Sequence, residues 1–166
     1  MGLPMKTRMQ RIGLPLALVT GLLLLLLWLL WGQALLPDTP DRLWQIEAEA
    51  GCDLHHGACV ARLDDGGMIE FRITPQPIRM LTPLQLEVRL HGLQAKGVLV
   101  DFNGVEMDMG FNRPRLQLQA DGGFAGNGML PLCVYERMTW QALVLIETDA
   151  GLGVARFYFD TTRRPS

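Results

Sequence analysis

Sulfur-bearing side chains are the residues of this sequence best suited to chemistry. The stretches NGVEMDMGFNRP (103–114) and GMLPLCVYERMTW (128–140) contain Met107, Met109, Met129, Cys133 and Met138. Thioether and thiolate sulfur atoms are soft ligands that favour Cu(I) over zinc and over hard cations. Methionine is also an adaptable filler of hydrophobic cores. The residue types alone therefore leave a Cu(I) site and a packed core as alternatives.

The distribution of methionine along the chain favours the metal site. β-Branched residues fill the interior of strands better than methionine does, and the runs predicted as strands use valine, leucine and isoleucine more freely. Methionine gathers instead in the segments 107–109 and 129–138. The predicted ligands are two thioethers, a thiolate and one further thioether: Met107 and Met109, Cys133, and Met138 or Met129. Trp140 is expected to shield such a site from water and oxygen.

The chain contains three cysteines, so an exported domain with one disulfide keeps one free thiol. The stretch CDLHHGAC favours a structural disulfide between Cys52 and Cys59 that closes a short loop. Two alternatives remain open: a metal site that adds His55 and His56 to the cysteines, and a redox-active pair, although C-x6-C lacks the close spacing of C-x-x-C. Cys133 is the leftover thiol, which is expected to be buried in the core or bound to metal.

Conventional catalytic motifs are absent from the sequence. It has no G-x-S-x-G, no glycine-rich phosphate loop and no H-E-x-x-H, and its one serine is Ser166. We therefore expect neither an enzyme nor a small-molecule substrate. Of fifteen basic residues, three precede the apolar segment described next, which leaves twelve against seventeen acidic residues. This acidic balance argues against nucleic acid as a partner.

An apolar segment near the N-terminus determines the expected compartment. Residues 12–36 carry no charge, and at about 1.5 Å per residue they can cross a hydrocarbon core of roughly 30 Å. Basic residues precede the segment and acidic residues follow it, which predicts a cytoplasmic tail at 1–11 and a periplasmic C-terminal domain. We therefore predict a single-pass protein of the inner (cytoplasmic) membrane; the alternative is a signal peptide cleaved after Ala34.

The exported part is predicted to consist of a linker at 37–50 and an all-β domain at 51–166. Short alternating or β-branched runs recur between glycine-rich turns, which is typical of an Ig-like antiparallel β-sandwich of seven to nine strands. The predicted strands are 58–63, 68–74, 84–90, 97–102, 105–109, 115–120, 140–148 and 154–159. In 105–109, period-two spacing places both methionines on one face, opposite the two acidic residues.

The segment 100–148 resembles exported domains of the FixH/YtkA-like type. Those domains follow the pattern M-x-M-G, then G-x-[FY]-x-G, then L-P. The matching residues here are Met107, Met109 and Gly110, then Gly122, Phe124 and Gly126, then Leu130 and Pro131. The resemblance implies an Ig-like β-sandwich behind one N-terminal transmembrane anchor, and association with copper handling or with assembly of haem–copper cytochrome oxidase. Cys133 departs from the general pattern, and it would add a thiol to a copper site.

Three functions follow from these patterns. The first is a membrane-anchored periplasmic Cu(I)-binding or copper-delivery protein, whose partners are the inner membrane and cytochrome oxidase or another copper-protein target. The second is a metal-free structural factor that docks onto a respiratory membrane complex, and the third is a thiol-redox partner that uses Cys52 and Cys59. The Cu(I)-binding function requires that the sulfur atoms of Met109 and Cys133 lie within roughly 4–5 Å of each other, because a Cu(I)–S bond is similar in length to the Zn–S bond of about 2.3 Å.

Overall fold

The computed structural model describes residues 18–29 and 42–163 of the chain. The chain divides into two compact units, Met1–Thr39 and Pro40–Ser166. In the first unit, residues 18–29 are α-helical; the rest of the predicted transmembrane segment 12–36 and the predicted tail 1–11 lie outside the described residues. Among the residues that are described, no helix has the length and apolar character needed to cross a membrane.

In the second unit, the described residues form nine β-strands that join in one sheet. The strands are β1 (Arg42–Glu47), β2 (Cys59–Arg62), β3 (Met68–Thr74), β4 (Leu84–His91), β5 (Gly97–Gly104), β6 (Arg115–Leu118), β7 (Phe124–Gly128), β8 (Arg137–Glu147) and β9 (Leu152–Thr162). Their order in the sheet is β1-β9-β8-β5-β6-β7-β4-β3-β2. The prediction of an all-β domain is confirmed.

The two outer strands of the sheet approach each other. Directly after β1, the backbone N–H of Glu49 donates to the carbonyl of Val60 in β2 at 2.8 Å. The sheet therefore nearly closes into a barrel, which protects edges that would otherwise be open to pairing with other chains. β1 runs parallel to β9, whereas an antiparallel arrangement was expected throughout.

The predicted linker 37–50 is wrong in its extent, because residues 42–47 form β1. The indole of Trp44 lies against Gly153 of β9, where a methyl group on the glycine would be 2.1 Å from the ring. A glycine is required at this position because any side chain would displace the indole. The strand was missed because its partner β9 is distant in sequence, so no local turn marks the pairing.

Two further differences concern the segments around β5 and β7. The predicted strand 105–109 does not form: β5 ends at Gly104 and the chain bends at 105–107. Conversely, FAGNG forms β7 between β4 and β6 although glycine and asparagine are poor strand formers. A methyl group on Gly126 would lie 2.8 Å from Cδ2 of Leu116, so close packing against β6 requires the glycine.

The core lies between the inward faces of the strands, where alternate residues are buried as period-two spacing requires. Phe71 of β3 and Phe157 of β9 meet across it, with ring centroids 5.2 Å apart. Cys52 and Cys59 form a disulfide with Cα atoms 5.4 Å apart, at the position predicted for a structural bridge. Cys59 is buried, so the bridge fastens the segment before β2 to the core.

The pairing of β1 with β9 defines two opposite ends of the domain. Arg42, the first residue of β1, pairs with Leu152, the first residue of β9. β9 then runs for eleven residues, or about 35 Å, to Thr162, which pairs with Arg137 at the start of β8. β1 and β9 thus begin at one end of the domain, and the end of β5 and the start of β8 lie at the other.

Candidate metal centre

A bend in the chain after β5 carries the first two predicted ligands. Gly104, the last residue of β5, pairs with Trp140 of β8, and the following residues turn away from the sheet. The N–H of Val105 donates to the carbonyl of Thr139 at 2.9 Å, and the N–H of Thr139 donates to both carboxylate oxygens of Glu106 at 3.3 and 3.1 Å. These hydrogen bonds fix the bend to β8, just before Met107.

Cys133 and Met107 are in direct sulfur–sulfur contact. The Sγ of Cys133 lies 3.6 Å from the Sδ of Met107, with the thiol as donor, and the N–H of Tyr135 donates to the same Sγ at 3.4 Å. Cys133 is only 1% exposed, whereas Met107 is half-buried. The pairing of the first thioether with the thiol therefore joins the bend after β5 to the segment between β7 and β8.

Gly104 brings Met138 and Met109 to the same place. A methyl group on its Cα would lie 1.8 Å from Cε of Met138, 2.5 Å from the carbonyl oxygen of Met107 and 3.2 Å from Cγ of Met109. Met138 is fully buried and Met109 is half-buried. The space beside Gly104 is thus occupied by side chains of the predicted ligand set. Met138 and Met109 lie beside Gly104, and Met107 next to them contacts Cys133. The contact found for Cys133 is with Met107, so the predicted approach of Met109 to Cys133 stays a prediction. We call these four residues the sulfur cluster: Met107, Met109, Cys133 and Met138.

Met129 is the one predicted ligand that these contacts do not bring into the cluster. Its side chain is 51% exposed, and its carbonyl accepts a hydrogen bond from Nδ2 of Asn112 at 3.0 Å. Trp140 is fully buried, its backbone pairs with Gly104, and its Nε1 donates to Oγ1 of Thr161 at 2.9 Å. The shielding role of Trp140 stays a prediction.

Glu106 adds a negative charge beside the sulfur cluster. Desolvation is the largest single influence on the pKa of Glu106 and raises it, but hydrogen bonds involving Thr139 and the Glu106 backbone outweigh it, so that the pKa lies below its usual value. The carboxylate is therefore ionised at neutral pH. A fixed negative charge next to neutral thioethers favours the approach of a cation.

The histidines form no metal site with the cysteines. The Nδ1 of His55 accepts a hydrogen bond from the N–H of Ile78 at 3.0 Å, so its Nε2 carries the proton and donates to the carbonyl of Asp160 at 2.7 Å. His56 bonds through Nδ1 to Asp53 at 2.7 Å. Within the described part of the chain, no three His, Cys, Asp or Glu side chains gather as a metal site. The ligands available at the candidate centre are therefore sulfur atoms.

Two residues that position the sulfur cluster were missed in the sequence. The sequence indicated only that Gly104 belongs to an Asn-Gly turn and that Glu106 lies on the solvent-exposed face of a strand. The turn signal NG did indicate where β5 ends, but the three-dimensional packing of Met138 against Gly104 has no local signature. Comparisons of the chain with protein-family models, with curated proteins and with solved structures find no match.

Proposed function

We propose that this protein is a membrane-anchored, exported Cu(I)-binding protein that delivers copper to another protein. Met107, Met109 and Met138 would supply thioether ligands and Cys133 a thiolate. Bound copper would supply a soft cation for transfer between proteins, and no catalytic step on the metal is proposed. A donor set of three thioethers and one thiol is suited to Cu(I) and poorly suited to zinc, calcium or magnesium.

The observation that carries this proposal is the 3.6 Å separation between the sulfur atoms of Cys133 and Met107. Two sulfur ligands on one tetrahedral metal ion, at the Zn–S bond length of about 2.3 Å, lie about 3.8 Å apart. The two sulfur atoms are therefore already close to the spacing that a shared ion needs. The thiol proton now between them would be displaced, since the thiolate is the form of cysteine that binds metal.

The burial of the four side chains gives the site an inner and an outer side. Cys133 and Met138 are buried, while Met107 and Met109 on the bend are half-buried. An ion could therefore reach the cluster past the two methionines on the bend, and a receiving protein could contact the same two thioethers. A fully enclosed structural site would offer no such exchange.

The architecture supports the rest of the proposal. β3 pairs with β4, and β4 with β7, while β8 pairs with β5 and β9. We propose that these two groups of strands are the two layers of an Ig-like β-sandwich. We further propose that residues 12–36 anchor the domain in the inner membrane, as the FixH/YtkA-like resemblance implies.

A titration of the purified protein with Cu(I) in competition with a chromogenic chelator tests the proposal. We expect one Cu(I) to bind per chain, and Met107→Leu with Met109→Leu to weaken binding by at least about 100-fold, or about 2.7 kcal/mol. Met68→Leu with Met80→Leu is the matched control, because it removes two other partly buried methionines. Cys133→Ser should weaken binding as well, and all variants should keep the β-sheet circular dichroism of the parent.

Cu(I) affinity that is equal in the two double variants would overturn the assignment, provided that both are folded. The absorption spectrum of the copper adduct gives an independent check, since Cu(I)–thiolate bonds absorb in the ultraviolet and thioethers contribute little. That absorption should disappear in Cys133→Ser and persist in Met107→Leu. Its persistence in Cys133→Ser would exclude Cys133 as a ligand.

A second candidate function is that of a metal-free assembly factor of a respiratory membrane complex. It is favoured by apolar side chains exposed around the cluster: Val105 (57%), Phe111 (83%), Leu132 (49%) and Val134 (74%). Exposed apolar residues that lie together mark interaction surfaces. Under this function, cells grown without copper would still assemble the complex, and Met107→Leu with Met109→Leu would have no effect. The third possibility, a redox pair, is disfavoured by the burial of Cys59.

A further inference from the structure

A cleft of about 480 Å³ opens beside the sulfur cluster. It lies between the segment that connects β3 to β4, the end of β9, and residues on either side of Cys133. Its walls include one histidine, one carboxylate, two exposed leucines and three arginines: His55, Asp160, Leu81, Leu132, Arg79, Arg137 and Arg163. Both ring nitrogens of His55 are engaged in hydrogen bonds with Ile78 and Asp160. Among the arginines and carboxylates of the cleft, three arginines outnumber the single carboxylate.

These arginines differ from the other basic residues of the domain. Six described basic side chains pair with carboxylates, namely Arg62, Arg72, Arg89, Lys96, Arg113 and Arg115. Arg156 donates to Oε1 of Gln45. Among side chains in the described range 43–163, Arg79, Arg137 and Arg163 make no hydrogen bond or ion pair. Within that range, the three arginines without a partner therefore line the same cleft, although the domain as a whole is acidic.

The chemistry of the cleft suits a carboxylate ligand with apolar neighbours. A guanidinium group binds a carboxylate through two parallel hydrogen bonds, and arginine is enriched where proteins meet. Leu81 and Leu132 are 57% and 49% exposed on the cleft walls. Leu81 also has a positive φ of 54°, which a leucine rarely adopts. An open cleft with both cationic and apolar walls fits an extended peptide better than a small ion, which would need an enclosed site.

The cleft and the sulfur cluster share one chain segment. Leu132 in the cleft wall precedes Cys133, and Arg137 precedes Met138. The N–H of Leu81 donates to the carbonyl of Leu130 at 2.9 Å, which ties the opposite wall to the same segment. A ligand in the cleft would therefore lie next to the cluster, at the end of the domain away from β1.

We propose that this cleft docks an acidic, partly apolar segment of a partner protein. Glutamate or aspartate side chains of that segment pair with Arg79, Arg137 and Arg163, and its apolar side chains cover Leu81 and Leu132. The binding itself is independent of metal. That the partner is the copper acceptor rests on the proposed function, because docking in the cleft places the partner beside Met107 and Cys133.

Fluorescence anisotropy with the copper-free full chain tests the docking. The probe is a short labelled peptide of alternating glutamate and leucine, and its glutamine counterpart is the uncharged control. We expect Arg79→Gln with Arg163→Gln to weaken binding of the glutamate peptide by at least about tenfold. Arg72→Gln with Arg89→Gln removes the same charge from elsewhere on the surface and should change it less than about twofold. Binding should also weaken with added salt.

Three outcomes would overturn the proposal. Equal weakening in both double variants would show attraction by overall charge alone. Competition by inorganic phosphate as effective as by unlabelled peptide would make the cleft a small-anion site. Cleft-dependent binding to vesicles that contain phosphatidylglycerol, without binding to the peptide, would make it a membrane contact. If the double variant fails to fold, Arg137→Gln provides the same test by itself.

Failure of this proposal is separable from failure of the copper site. The arginine variants should keep the Cu(I) affinity of the parent, because none of the three arginines is a predicted ligand. Conversely, Met107→Leu with Met109→Leu should keep its affinity for the glutamate peptide. Loss of only one of the two activities therefore identifies which of the two assignments is wrong.

Discussion

Replacing Gly104 with alanine tests the geometry of the sulfur cluster at its tightest point. The new methyl group would lie 1.8 Å from Cε of Met138 and 2.5 Å from the carbonyl oxygen of Met107. The methionine side chain can rotate away, but the carbonyl belongs to the backbone and must shift by about 0.5 Å or more to restore an ordinary contact. Both movements displace predicted ligands, so the substitution should affect stability and copper binding together.

The expected size of both effects follows from this crowding. Overpacking of this kind costs typically 1–3 kcal/mol, and we expect Gly104→Ala to lower the free energy of unfolding by about 2 kcal/mol. We expect the Cu(I) affinity to fall by about tenfold or more, or about 1.4 kcal/mol. Urea denaturation measures the first and chelator competition the second. Gly57→Ala is the control, because a methyl group at that position contacts nothing within 4 Å.

Two results would refute this reasoning. A Gly104→Ala variant as stable as the Gly57→Ala variant would mean that the bend yields freely and that Met138 is not packed against it. A variant that is destabilised but binds Cu(I) with parental affinity would mean that copper, if it binds, lies away from the cluster. Adding Met138→Ala to Gly104→Ala should restore part of the lost stability relative to the sum of the single changes, since the clash with Cε is then removed.

Three other substitutions test the parts of the domain that support this end. His55→Ala should cost about 2 kcal/mol in urea denaturation, because it leaves the N–H of Ile78 and the carbonyl of Asp160 without partners; the exposed His56→Ala should cost under about 0.5 kcal/mol. The pKa of Asp53 is lowered from its usual 3.8 by hydrogen bonds from the His55 backbone and the His56 ring. The contribution of this carboxylate to stability is therefore present above pH 3.8 and is lost as the pH falls through the folded pKa. Asp53→Asn should flatten the acid side of a plot of stability against pH, and an unchanged plot would contradict this role of Asp53. Cys52→Ser with Cys59→Ser should lower the free energy of unfolding by about 2–3 kcal/mol without changing Cu(I) affinity, whereas a loss of copper binding would favour the alternative site at these cysteines.

Most strands could be predicted because their signals are local. Alternation in MIEFRIT gave β3 its observed bounds, 68–74, and glycine-rich turns marked the ends of its neighbours. β1 and β7 were missed for different reasons. The pairing of β1 with β9 joins the first and last strands of the sequence, and FAGNG has the composition of a loop. It forms a strand because close packing beside Leu116 selects glycine over better strand formers.

The members of the candidate site were predictable from residue chemistry, but their arrangement was not. Soft sulfur ligands in a domain predicted to be exported indicated Met107, Met109, Cys133 and Met138. In the structure Met107 contacts Cys133, and Met109 and Met138 lie beside Gly104. Met129 was predicted from its nearness in sequence to Cys133, yet its side chain is half exposed. The arginine cleft had no sequence signal, because its three cations come from segments far apart in the chain.

The position of Met107 and Met109 on a bend changes the balance between core and ligand. The core interpretation assumed a strand whose inward face carries both methionines, and that strand ends at Gly104. After the bend, the two side chains are half-buried, so they contribute less to a hydrophobic interior than the buried leucines and phenylalanines do. Packing alone would be served as well by leucine, which is stiffer and has no preference for a neighbouring thiol. A thioether held 3.6 Å from a buried thiol, on a bend fixed to β8 by Glu106, therefore favours ligation over filling. Under the two proposals together, the arginines of the cleft would hold the protein that receives the ion, a role that a metal-free core would not need.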